Sequence, residues 1–308
     1  MNINFYLTTQ SFDRTNYQSL FRSLMGMYRD VCLVEEYKDE NSFYVCSDVF
    51  NVVVDGGMRL FEMCTSTAIP KDVRDAINLL IPALTHSSEQ FKICSENSSN
   101  VISNTSGNNA QDCVAIMADE NAPLVNKDFG PVYSKQTCLY LRHKYWVKYI
   151  DDTDHYLRQC RKYYHQLYFH SEVDNNIGTI YDTCKRQITE SLTALDEEYY
   201  PMYVSYGDNK PSEDDQMKQL GAKCSLDSCT QGSEKKKLDA TFTFLDDKGA
   251  NEKLFCGLHI KYNYDDQGKN FSNERRLYFH EPHPEVQKGE KVLVAHIGGH
   301  LPQKGFKK

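Results

Sequence analysis

The runs Asp239-Ala-Thr-Phe-Thr-Phe-Leu245, Leu254-Phe-Cys-Gly-Leu-His-Ile-Lys-Tyr262, Arg276-Leu-Tyr-Phe-His280 and Val292-Leu-Val-Ala-His-Ile297 alternate apolar and polar residues. A period of two is what a β-strand imposes on a half-buried segment. Ala240, Phe242, Phe244, Leu254, Cys256, Leu258, Ile260, Leu277, Phe279, Leu293, Ala295 and Ile297 would then form an apolar floor. Asp239, Thr241, Thr243, His259, Lys261, Arg276, Tyr278, His280 and His296 would share the opposite face. The connections Asp246-Asp-Lys-Gly249, Asp265-Asp-Gln-Gly268 and the Pro- and Gly-bearing stretch 281–290 carry turn chemistry. The expectation is a C-terminal four-stranded antiparallel sheet.

Working outward, 308 residues at 40% hydrophobic suffice for a packed core and for two domains. No run has the ~18 apolar residues of a membrane span, and the first ten residues lack a secretory signal's basic start and apolar core. A cytoplasmic address and no membrane partner follow as expectations. Eleven cysteines is an odd number at irregular spacing. Cys32, Cys46, Cys160, Cys184 and Cys256 stand where apolar residues belong, which fits reduced, buried thiols. The chain carries −8 overall, but residues from Ser233 onward hold 14 Lys and Arg against 11 Asp and Glu, a net +3. The basic part is therefore C-terminal, and it holds half of the ten histidines.

The chain opens with a strand at Asn2–Leu7 and a helix along Tyr17, Leu20, Phe21, Leu24, Tyr28 and Val31, capped by Asp13. Pro70 begins a helix that Pro82 should end or kink. The Ser- and Asn-rich stretch 95–111 reads as a long loop. Two amphipathic helices occupy 152–168 and 180–199. Residues 205–237 mix Gly, Pro, Asp, Ser and three consecutive lysines, as a linker does. The expected organisation is α+β: an acidic mixed α/β and helical region over 1–204, a linker over 205–237 and an antiparallel β domain over 238–308.

The polar face offers the groups that metal-independent RNA cleavage needs. His259, His280 and His296 could share the acid and base roles, Tyr278 could stack or donate, and Lys261 and Arg276 could hold a phosphate. A solvated sheet face carrying the same residues is the plain alternative. Zinc is a second one, through Cys256-x-x-His259, or through His280, His283, His296 and His300. Strand geometry opposes the first pair, because residues three apart point to opposite faces. Asp239 followed by His259-Ile-Lys261 partly matches a metal-dependent nuclease pattern in which His259 replaces a carboxylate ligand. His155, His165 and His170, with the tyrosines and basic residues around them, give a helix that could approach RNA. Cys224-x4-Cys229 has no partner pair and reads as a bystander.

Residues 276–301, with Arg276-Leu-Tyr278-Phe and Val292-Leu-Val-Ala-His296-Ile-Gly-Gly-His300-Leu, resemble the closing strands of RelE/ParE-type toxins. With His259-Ile-Lys261 included, they are also similar to uncharacterised bacterial proteins of phage-defence neighbourhoods. The resemblance implies a small sheet backed by helices and cleavage of messenger RNA by basic residues and often a tyrosine. Arg276 would then contact phosphate, with Lys261 and Tyr278 beside it. ParE-type members act on gyrase rather than RNA. The expectation is a toxin-like or anti-phage defence protein that binds, and as a ribonuclease cleaves, RNA; the alternative is an interaction subunit of a multi-protein defence complex.

Overall fold

The structure is a computed structural model that describes residues 3–35, 42–86, 92–105, 114–119, 121–122, 135–230 and 240–301. The chain is α+β and divides into two compact units, Met1–Tyr145 and Trp146–Lys308. The border thus lies far upstream of the linker expected at 205–237.

In the first unit, β1 (Asn4–Leu7), α1 (Tyr17–Glu35), β2 (Ser42–Cys46), α2 (Leu60–Met63), α3 (Lys71–His86), β3 (Lys92–Cys94), α4 (Ser98–Asn104) and β4 (Val114–Ile116) build an all-parallel sheet of order β3-β2-β1-β4. The β1 and β2 registers place Phe5 on Phe43 and Tyr6 on Tyr44, with ring centroids 5.1 and 4.8 Å apart. Leu20, Leu24, Met27 and Val31 recur at helical spacing and bury that face of α1. Asn16, not Asp13, accepts from the first turn through Ser19 N at 2.8 Å. α3 continues past Pro82 to His86, and α4 occupies part of the stretch expected as a loop, capped by Asn97.

The second unit takes up the last part of α5 (Lys135–Tyr149) and continues with α6 (Thr153–Tyr163), β5 (Leu167–Phe169), α7 (Ser171–Asn176) and α8 (Tyr181–Ala194). A π turn over Leu195–Tyr199, α9 (Tyr200–Ser205) and α10 (Glu213–Cys224) follow, so the expected linker holds a helix. The strands are β6 (Ser228–Cys229), β7 (Thr241–Leu245), β8 (Asn251–Phe255), β9 (Leu258–Tyr264), β10 (Asn270–His280) and β11 (Val292–Gly299). Trp146 anchors the helices: its ring lies 5.5 to 6.2 Å from those of Tyr156, Tyr163 and Tyr164, all buried. Those tyrosines are spent on packing, which removes the stacking surface an RNA-facing helix would need.

The sheet differs from the expected meander. β9, β10 and β11 are antiparallel neighbours, β6 extends one edge antiparallel to β9, and β5 extends the other parallel to β11. The sheet is therefore five-stranded and mixed. The first run pairs instead with β8 in a separate two-stranded hairpin. Gly257 separates β8 from β9, and a Cβ there would meet the Phe255 ring at 2.5 Å. The turns behave as their residues dictate: Asp246 and Asp265 each accept two backbone N–H groups through Oδ1, and Gly249 and Gly268 take positive φ.

Both sheet faces are covered. On one, Phe279 meets Tyr199 edge to face at 5.3 Å. On the other, Ala240, Phe242 and Phe244 of the hairpin segment pack with Tyr278, Leu293 and Ala295. Burial of this kind provides most of the stability of a small unit. Phe279→Ala should cost about 3 to 5 kcal/mol, seen as a lower denaturation midpoint for the transition of the Trp146–Lys308 unit, whereas Leu245→Ala, at an exposed position, should leave it within about 0.5 kcal/mol.

Candidate functional site

The site follows from strand register. His296 on β11 lies opposite Tyr278 on β10, Tyr278 opposite His259 on β9, and His259 opposite Cys229 on β6. Directly paired residues share a face at contact distance. The ring centroids of His259 and Tyr278 are 5.3 Å apart, and those of Tyr278 and His296 5.9 Å. Lys261, Arg276 and Gly298 form the next same-face row. Five of the expected site residues, His259, Lys261, Arg276, Tyr278 and His296, are thereby brought together.

The remaining expected residues lie elsewhere. The His280 ring nitrogen meets Glu281 O at 2.6 Å and its ring lies 5.9 Å from that of His283; none of its contacts reaches the His259–Tyr278–His296 row. His300 faces Glu274 at 3.5 Å, and His296 is held by the Gly299 carbonyl. His280, His283, His296 and His300 therefore do not converge as a ligand set. Among the described residues no group of three or more His, Cys, Asp or Glu side chains is placed to hold a metal. Thr241 and Thr243 sit on the hairpin, outside this sheet, and Asp239 lies outside the described residues. Cys256 is buried in the hairpin core while His259 sits in the row, as the objection to a Cys256–His259 pair required.

The face is recessed rather than solvated: His259 is 2% exposed, Tyr278 0%, His296 6% and Arg276 8%. Hydrogen bonds fix the tautomers. Gly257 O, 3.1 Å from His259 Nδ1, must accept a proton from it, so Nε2 presents a lone pair to the Cys229 thiol at 2.9 Å. Gly299 O, 3.0 Å from His296 Nε2, likewise leaves Nδ1 as the basic nitrogen of that ring. Burial pushes the His259 pKa down to about 4, with Arg276 and Lys261 adding to the effect. Burial also lowers His296 and raises the Tyr278 hydroxyl. Both imidazoles are neutral bases at pH 7.

Arg276 is the electrostatic centre. Its guanidinium donates to the Glu274 carboxylate and, through Nη1, to the Tyr278 hydroxyl at 3.4 Å. Its buried Nε has no hydrogen-bond partner among the described residues. A buried donor without an acceptor is costly unless a ligand or water supplies one. Beside His296 opens a cavity of about 580 Å³, lined by His170, Glu172 and Asn176, by Thr241, Phe242 and Thr243 of the hairpin, and by Leu301. Gly298 keeps room for the His296 ring, since a Cβ there would stand 2.8 Å from Nε2. His296 at the cavity, with a tyrosine hydroxyl, a second neutral imidazole and two cations in and beside its row, can bind an anion and move a proton beside it.

Cys229 is the member that sequence reasoning misses. β6 is two residues long, and only its register against β9 reveals the pairing with His259.

A buried neutral histidine has a stability signature. With a folded pKa near 4 against an ordinary 6.5, the unfolded chain binds the proton first as pH falls, so stability is full above about pH 6.5 and declines toward pH 4. Denaturation at pH 7 and pH 5 should show a smaller loss in His259→Gln than in the wild type. Gly298→Ala should displace the His296 ring, read as a changed imidazole resonance by NMR without loss of fold. Protein-family models, curated proteins and solved structures give no match to this chain.

Proposed function

We propose that the C-terminal unit binds RNA at the recessed end of its sheet and cleaves it by metal-independent acid–base chemistry, as a toxin-like or defence-type ribonuclease. The observation that carries this reading is the register: a neutral imidazole, a tyrosine hydroxyl and a second imidazole stand in one row, with Arg276 and Lys261 in the next. Arg276 and Lys261 hold the phosphate and offset the charge that develops as the 2′-oxygen attacks phosphorus. His296 borders the cavity and takes the 2′-hydroxyl proton on Nδ1. The bond from phosphorus to the 5′-oxygen breaks, and the leaving oxygen receives a proton from Tyr278. His259, bonded on both nitrogens, holds the Tyr278 ring in place. The similarity of residues 276–301 to RelE-type toxins supports the same assignment for Arg276.

The partial exposure of Lys261 beside the buried row favours a second reading, in which this face docks RNA or a protein subunit of a defence complex without chemistry. Among the described residues no helix is long and apolar enough to cross a membrane.

Labelled RNA incubated with the purified protein in EDTA separates the two. The ribonuclease reading expects cleavage that resists EDTA and drops by about 100-fold or more in His296→Ala while binding persists. Lys261→Ala should weaken binding across sequences and reduce the salt slope by about one. No cleavage, with binding lost in graded fashion across Lys261, Arg276 and Tyr278 variants, would instead establish the docking reading.

A further inference from the structure

Cys229 stands apart from the other partly exposed thiols. Cys64 donates to the Leu60 carbonyl, Cys94 accepts from Glu96 N, and Cys224 lies beside the Glu198 carboxylate. Cys229 has His259 Nε2 at 2.9 Å, and that nitrogen carries the lone pair because Nδ1–H is committed to Gly257 O. A nucleophile within reach of a base, with the base oriented by a third group, is the arrangement that activates a thiol at the moment of attack. Burial raises the Cys229 thiol pKa and Asp227 adds to that, while Lys261 and Arg276 act against it by favouring the thiolate, so the thiol rests protonated and its activation depends on the adjacent base. One row away on the same face, the nine-tenths buried Nε of Arg276 is a donor without an acceptor among the described residues.

We propose that Cys229 is a nucleophilic thiol, with His259 as its base and Lys261 and Arg276 as its anion-binding pair, that forms a covalent bond with an electrophilic carbon carried on an anionic molecule. The S–H proton moves to His259 Nε2 as the sulfur electron pair forms the S–C bond. The leaving group departs with the electrons of its own bond to carbon. Where that group is basic, His259 returns the proton to it; where it is a halide, the proton passes to water. Charge on the substrate decides selectivity, because Arg276 is almost fully buried, where its field is poorly screened, and the partly exposed Lys261 adds to it. The assignment needs no RNA and stands apart from the ribonuclease reading.

The test uses the full chain in its native state, alkylated with iodoacetate or with iodoacetamide and analysed peptide by peptide by mass spectrometry. Cys229 should show a several-fold higher ratio of iodoacetate to iodoacetamide labelling than Cys94 or Cys224, and high salt should reduce the excess. His259→Asn should slow labelling of Cys229 by about tenfold or more without changing the rate at Cys94. Equal ratios at all three cysteines would overturn the anion-directed assignment, and an unchanged Cys229 rate in a folded His259→Asn protein would overturn the role of the base. The ratio measurement needs no variant, so it decides the first point even where the substitution prevents folding.

Discussion

The pairing of β9, β10 and β11 is the constraint on which the C-terminal site depends. His259, Tyr278 and His296 are far apart in sequence and meet because each is the cross-strand partner of the next. A slip of one residue would send Tyr278 to the helical face and bring Leu277 or Phe279 into the row. Apolar burial prevents the slip. Leu277 and Phe279 are fully buried, and Phe279 rests on Tyr199. The bulge between Tyr278 and Phe279 then lets β11 present Ala295 and Leu293 to the hairpin without disturbing the Tyr278–His296 pair.

The hairpin turns this row from a wet surface into a recessed site. Phe242 and Phe244 cover one end of it, and the same covering deprives the imidazoles of water, which holds them neutral. Desolvation makes a histidine a poor cation but a ready proton acceptor, while a guanidinium is charged whatever its surroundings and that of Arg276 is paired with Glu274. Acceptors and a fixed cation can therefore coexist within a few ångströms, an arrangement suited to an anionic ligand that must give up a proton.

Much of this unit is legible in the sequence, because period-two alternation is a direct consequence of one buried face. That alternation alone puts Lys261, Arg276, Tyr278, His259 and His296 on one face. It also merged β8 and β9 into one run, since Leu254, Cys256 and Leu258 stay in phase across the Gly257 break. Pairing partners are a tertiary property, so the run at 239–245 gave no sign that it would leave the sheet. Edge strands of two or three residues, β5 and β6, are too short to show any period, and with β6 went Cys229. His280 failed for another reason. It lies at the end of β10, where the Glu281 carbonyl and His283 engage it away from the row.

The central claim is that Arg276 and His296 act on one bound phosphate. The most direct measurement follows the side-chain resonances of nitrogen-15-labelled protein during titration with a short single-stranded RNA. The account predicts that the Arg276 Nε–H signal and the ring nitrogens of His296 shift together along one binding curve. Saturable binding that leaves those signals in place would contradict it.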